Sequence, residues 1–235
     1  MIERIQTIEN KQIVEMWNTI ADIRYSQIKN GEDDSFSNVL LPNMLSLLDK
    51  TYASILDLGC GNGLFTRELI SYSPKITGID FSEQNIKLAK QLNTNISFIL
   101  SNAENYQSSQ KFSCVISNMF LMDARNLKSI ISNTTNLLEK NGDFIFSITH
   151  PCYWPIYWNY YKENWFDYNK EIIIQNNFRI GQQILEQKTI HFHRPLEMYI
   201  QLINENKLEL IKMKELKGKY FSLPRFLLIK CKKRG

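Results

Sequence analysis

SILDLGCGNG, residues 54–63, decides how this chain is read. The apolar run Ile55, Leu56 and Leu58 carries one acid, Asp57, and three of the chain's nine glycines follow at once, Gly59, Gly61 and Gly63. A short β-type run ending in glycines reads as a buried strand that turns tightly into a helix. In a parallel sheet such a turn brings backbone close to a ligand and offers the free N–H groups of a helix N-terminus. A ligand-free turn needs glycine for the same backbone reason, so the triplet alone leaves both readings open.

Spacing narrows the choice of guest. A dinucleotide fingerprint, G-x-G-x-x-G, wants a glycine where Leu64 stands, and a phosphate loop would end in Gly-Lys-Ser or Gly-Lys-Thr, which is absent. Asp57 would repel phosphate but suits a ligand with an ammonium or sulfonium charge. Asp80, closing the next strand in GIDFS (78–82), is placed to take the two hydroxyls of a ribose.

Outward from this stretch, ASILDL (53–58), KITGID (75–80), ISFIL (96–100), FSCVIS (112–117) and GDFIFSIT (142–149) are β-rich runs alternating with helical patterns near 63–72, 83–92 and 125–139. Alternation of this kind predicts parallel βαβ units in an α/β, Rossmann-like, doubly wound sheet with helices on both faces. KLELIKMKEL (207–216) and RFLLIKCK (225–232) read as two closing strands, an antiparallel hairpin at the edge that brings the sheet to seven. Ile13, Trp17, Ile20 and Ile23 give a helix over about 10–29, NGEDDS breaks it, and a second helix spans Phe36 to Leu48 with Pro42 near its first turn. The expected organisation is a single domain, 1–235: an N-terminal helical cap (1–50), a core (51–150), an aromatic insert after the fifth strand (151–192), and a C-terminal helix and strands (193–235).

The totals agree with one ordinary globular domain: 235 residues, 43% hydrophobic, 22% charged. No apolar run reaches the length of a membrane span, the first residues lack the order of a secretory signal, and the four cysteines form no C-x-x-C pair. A cytoplasmic protein with reduced thiols and no membrane partner is expected. The net charge of +4 owes part of its excess to the tail KCKKRG, which reads as a solvated terminus in preference to a nucleic-acid footprint.

Four stretches together resemble the class I S-adenosylmethionine-dependent methyltransferases: ILDLGCGNG their first motif, GIDFS the acidic end of their second strand, SNAENY (101–106) the adenine-contacting turn, and FSCVISNMFLMD (112–123) the fourth-strand motif. The resemblance covers about residues 50–150. It implies S-adenosylmethionine as cofactor, with Gly59, Cys60 and Gly61 against its methionyl part and Asp57 near that charged end. It further implies Asp80 on the ribose, Phe81 on adenine, Asn102 and Ala103 at the adenine amino edge, and Asn118 with Met119 beneath the sulfonium. Asn102 stands where the family often has Asp; an amide oxygen can still accept the adenine amino group. Tyr25 resembles an N-terminal aromatic that relatives fold over the cofactor, and is equally readable as a packing tyrosine.

The acceptor must be sought outside these motifs. Ser117-Asn118-Met119-Phe120 lacks the prolines of enzymes that methylate exocyclic base amines, and Cys152, after the fifth strand, reads as structural. His150 is the first candidate for a general base, with His193 beside it, because imidazole titrates near neutral pH. His191 and His193 would share a face of an extended segment, so a three-histidine metal site is conceivable; without supporting acids no metal is expected. ITHPCYWP (148–155) followed by FHRPLEMYIQLI (192–203) resembles a bacterial subgroup of these enzymes acting on small molecules. In the insert, Tyr153, Trp154, Trp158 and Trp165 are expected to bind the acceptor. Arg194 either binds an anionic acceptor or pairs with an internal carboxylate. The expected activity is methyl transfer to oxygen or nitrogen of a small molecule. The alternatives are an RNA or protein acceptor, motivated by Lys212, Lys214, Lys217 and Lys219, and a non-catalytic cofactor-binding partner subunit.

Overall fold

A computed structural model describes residues 2–180 and 183–235. Its larger sheet has seven strands in the order β4-β3-β2-β5-β6-β10-β9. They are β2 (Ile55–Leu58), β3 (Ile76–Asp80), β4 (Ser97–Leu100), β5 (Phe112–Asn118), β6 (Leu138–Thr149), β9 (Leu208–Lys217) and β10 (Pro224–Lys233). The first five run parallel, and β10 pairs antiparallel with both β6 and β9, as the closing hairpin of the sequence requires. β2 is buried along its whole length, the mark of a central parallel strand covered on both faces.

Alternation along the strands divides the interior into two cores. Ile55, Cys114, Ile116, Ile145 and Leu228 face one side; Leu56, Val115, Phe144, Phe146 and Leu227 face the other. The first side is covered by α4 (Glu83–Leu92) through Ile86 and Ala89. The second is covered by α5 (Leu127–Leu137) and α7 (Leu196–Glu205). The strand order reverses between β2 and β5, and the crevice beyond their carboxyl ends is where a doubly wound sheet receives its ligand.

Three features depart from the sequence reading. The aromatic insert carries regular structure that its sequence did not announce. Its first part forms the short helix α6 (Trp154–Tyr157), and its second part is a long hairpin, β7 (Ile172–Ile180) with β8 (Gln183–His193). The N-terminal cap is not wholly helical, because β1 (Glu3–Ile5) adds to β7 and completes a separate three-stranded antiparallel sheet. The second cap helix is broken in character: residues 35–40 form a π-helical stretch that passes into α2 (Leu41–Leu45), and Pro42, which has no N–H to give, sits at the junction.

The small sheet and the cap helix α1 (Asn10–Lys29) bury a third cluster, Ile8, Ile13, Ile190 and Phe192. α1 is fixed over the crevice by Asn18, whose side-chain oxygen accepts from the Ser82 hydroxyl at 2.6 Å and the Gln84 amide at 3.2 Å. No helix among the described residues is long and apolar enough to cross a membrane.

Candidate functional site

The crevice opens into a cavity of about 790 Å³ between the glycine turn, α1, the start of the insert and β8. The glycine turn follows β2 and leads into α3 (Leu64–Glu68). Gly59 takes φ +70°, and a Cβ there would stand 2.4 Å from Cγ of Phe120, so only glycine fits beneath that ring. Gly61 takes φ +53°, but a Cβ there would meet nothing within 4 Å: the backbone is bare toward the cavity it lines.

Two carboxylates frame the turn. Asp80 accepts the Gly61 N–H at 3.0 Å with one oxygen and the Ser82 N–H at 2.8 Å with the other, so the acid that ends β3 also sets the shape of the turn. Burial raises its pKa to about 6, against the lowering effect of those hydrogen bonds. Asp57 is 1% exposed; one oxygen accepts the Thr66 hydroxyl at 2.7 Å and the other, Oδ1, has no partner among the described residues. Burial pushes Asp57 up to about 7. A buried carboxylate with an unfilled lone pair, on the wall of a cavity, is a place for a cationic ligand group. Burial also pushes the Cys60 thiol well above its ordinary range.

Asn118 and Met119, at the end of β5, line the same cavity; the Asn118 oxygen accepts from Ser147 at 2.7 Å, and Met119 N–H donates to Ser147 Oγ at 2.9 Å. Phe81 lines both this cavity and a narrow cleft beside it, and Asn102 and Ala103 line the cleft alone. Gly59, Asp80, Phe81 and Phe120 are walls common to both. The residues assigned to the cofactor by resemblance are therefore gathered round one crevice, with one exception. Tyr25 does not line it. The residues that α1 turns to the cavity are Trp17, Ala21, Arg24 and Ile28, a helical stripe, and Tyr25 lies off that stripe with Lys29 over its ring.

Both histidines expected as the base lie elsewhere. His150 is 1% exposed and absent from the cavity wall: its Nδ1 accepts the Cys152 N–H at 3.2 Å, and its Nε2 faces Glu215 on β9 at 2.8 Å. The first bond fixes the tautomer, so Nε2 donates to the carboxylate and the ring bridges the fifth strand to the sheet edge. His193 does share a face of β8 with His191, as spacing predicts, but Tyr160, Phe166 and Tyr168 pack round it and its Nε2 donates to the Tyr168 carbonyl at 3.0 Å. The histidine on the cavity wall is His191. Its ring lies 6.1 Å from that of Trp154 and 5.9 Å from that of Trp158, and its Nδ1 is 3.9 Å from Oδ1 of Asp123, another wall residue. Burial, aided by the Arg194 charge, lowers His191 to about 3, and burial raises Asp123 well above the carboxylate range, so both are held neutral. Among the described residues no three metal-ligating side chains converge.

The four aromatics proposed for the acceptor separate into pairs. Trp154 and Trp158 line the cavity; Tyr153 packs on His150 at 4.6 Å, and Trp165 stacks on Tyr160 at 6.1 Å. Arg194 does not line the cavity. Its buried guanidinium pairs with Glu171 and donates to the carbonyls of Leu121 at 3.0 Å, Ala124 at 2.7 Å and Arg125 at 3.1 Å. It thereby holds the 121–125 turn that carries Asp123. Residues the sequence reading missed come from distant segments: Arg24 from α1, Phe178 from β7, and Arg225 from β10. Only the α1 stripe left a signal, its helical spacing.

A family model described as a methyltransferase domain matches residues 49–209. The malonyl-[acyl-carrier protein] O-methyltransferase of Bacillus anthracis is 32% identical over 147 residues, which make up 59% of this chain and 53% of that protein. The enzyme of the same name from Acetivibrio thermocellus is 28% identical, over 66% of this chain and 54% of that one. The chain thus spans about half the length of the curated relatives it matches. Among solved structures, the 1,6-didemethyltoxoflavin-N1-methyltransferase of Burkholderia thailandensis, with 1,6-didemethyltoxoflavin and S-adenosylhomocysteine bound, superposes with a TM-score of 0.66 at 13% identity, covering 100% of this chain and 95% of its own. An S-adenosylmethionine-dependent methyltransferase of Clostridium acetobutylicum gives 0.64 at 17% identity, with 93% and 99% covered. At such identities these two show the fold alone.

Proposed function

The chain belongs to the methyltransferase domain family, and on that premise we propose that it transfers a methyl group from S-adenosylmethionine to an oxygen or nitrogen of a small-molecule acceptor. The observation that carries the proposal is the unpartnered Oδ1 of buried Asp57 beside the bare backbone of Gly61. A cationic amino-acid end requires that pairing of free acceptor and open backbone, so the residues present fit the cofactor. Asp57 and the turn from Gly59 to Gly61 hold the methionyl part, Asp80 takes the ribose, Phe81, Asn102 and Ala103 meet the adenine, and Asn118 with Met119 close the sulfonium side.

When bound, the cofactor supplies a methyl group already activated by positive sulfur. The protein's work is then to align the nucleophile and take its proton. Trp154 and Trp158 give the acceptor a flat, rigid wall. His191, kept neutral by burial, offers a lone pair that takes the acceptor's proton as the methyl group is transferred, and the ring returns to its neutral form by giving that proton to water once the product leaves. α1 and the insert cover the crevice and exclude water. The reading takes the enzyme as cytoplasmic, with residues 51–150 as its cofactor-binding core and the flanking segments as its acceptor side.

Calorimetric titration with S-adenosylmethionine and S-adenosylhomocysteine tests this. Micromolar binding by the wild type, lost in Asp80→Ala, is the expected result; a folded wild type that binds neither refutes it.

A further inference from the structure

The cavity is electrically divided. Around the glycine turn its wall carries acids alone, Asp57, Asp80 and Asp123, whereas the part beyond α1's midpoint carries the cations Arg24, Arg179, Lys219 and Arg225 together with Glu32, Asp33 and Asp34. Along α1, Asn18 is anchored beside Asp80 and Arg24 lies six residues further, roughly 9 Å by helical rise. The acids of the second region are partly spent. Asp33 pairs with Arg24 and accepts the Phe36 N–H, and Glu32 accepts from Gln183.

Arg225 differs from Arg24, which is paired with Asp33. The Arg225 guanidinium carbon lies over three rings, 4.1 Å from the centroid of Tyr157, 4.9 Å from that of Phe226 and 5.8 Å from that of Trp154. Among the described residues its Nη1 donates to the neutral Ser35 hydroxyl at 3.3 Å, and its buried Nε meets no acceptor. Among the described residues no carboxylate lies within ion-pair distance of it. A largely buried cation with no carboxylate in direct contact is costly, and burial lowers its pKa against the raising effect of the Asp33 and Asp34 charges nearby. Such a group is satisfied when an anion enters the cavity, and a planar guanidinium matches a planar carboxylate best.

We propose that the acceptor carries a carboxylate, bound by Arg225, as a handle separate from the atom that is methylated. The proposal rests on the methyltransferase reading and deepens it. Trp154 touches both ends of the arrangement, with His191 on its ring at 6.1 Å and Arg225 at 5.8 Å. An acceptor lying on Trp154 can therefore reach the base with its nucleophile while its carboxylate meets the guanidinium. The cofactor's positive charge then lies by Asp57 and the acceptor's negative charge by Arg225, which also sets the orientation of the acceptor.

The test uses the full chain saturated with S-adenosylhomocysteine, with quenching of tryptophan fluorescence as the readout. The probes are hydroxybenzoates and hydroxycinnamates, each paired with its primary amide. The wild type should bind at least one carboxylate about tenfold or more tighter than its amide, and Arg225→Met should abolish the preference while leaving S-adenosylhomocysteine affinity unchanged. Should Arg225→Met fail to bind S-adenosylhomocysteine, Arg225→Lys is used, which keeps the charge but not the fork and should lose most of the preference. No carboxylate preference across the pairs, or one that survives both substitutions, overturns the proposal. Loss of cofactor binding in the wild type would instead overturn the methyltransferase reading.

Discussion

Two glycines of one turn should fail in different ways when given a methyl group. At Gly59 the new Cβ would lie 2.4 Å from Cγ and 2.7 Å from Cβ of Phe120, and the residue would keep φ +70°. Left-handed backbone costs an L-residue about 1–2 kcal/mol, and forcing a methyl into a packed site about 1–3 kcal/mol more. Gly59→Ala should therefore lose about 2–5 kcal/mol of stability. Gly61, at φ +53° with nothing within 4 Å, bears only the first cost, so Gly61→Ala should lose about 1–2 kcal/mol. Its methyl projects into the space assigned to the methionyl part, and S-adenosylhomocysteine affinity should fall about tenfold, equivalent to ~1.4 kcal/mol. Urea unfolding at equilibrium gives the stabilities, with unchanged m-values required for the comparison, and calorimetry gives the affinity. Equal destabilisation of the two variants would refute the packing argument, and undiminished affinity in Gly61→Ala would remove Gly61 from the cofactor site.

Two further outcomes separate the groups of the cavity from their look-alikes. Burial raises Asp57 to about 7 in the folded chain from 3.8, so its contribution to stability is fully present below pH 4 and is lost as pH rises toward 7. Asp57→Asn should accordingly gain on the wild type by up to about 1.4 kcal/mol per pH unit across that window and no further above it; a difference flat with pH in urea titrations would contradict the assigned burial. His191→Asn should lower the turnover rate by about 10²–10⁴, the range for a general base, whereas His150→Asn should leave it within a few-fold, because that ring faces Glu215 outside the cavity. S-adenosylhomocysteine production at saturating acceptor decides between them, and the reverse order would restore His150 as the base.

The sequence by itself determined the sheet and the crevice at its strand ends. Those features are written locally: an apolar run, glycines and an acid at the end of each strand fix how a strand turns into its helix, and Asp57, Gly61, Asp80 and Asn118 each sit within a few residues of the strand end that places them. Strand alternation fixed the two cores for the same reason. The acceptor side obeyed no local rule. His150, His193 and Arg194 had the chemistry expected of a site, but whether a strand-end side chain faces a cavity or a neighbouring strand depends on what packs against it. Glu215 claimed the first, Tyr168 the second and Glu171 the third. The insert could not be folded on paper because β7 pairs with residues 3–5, at the far end of the chain. The wall that results joins Arg24, Trp154, His191 and Arg225 from four separate segments, and only closure of the tertiary structure, which buries polar groups where partners from distant segments meet them, could decide which of them would be left facing a ligand.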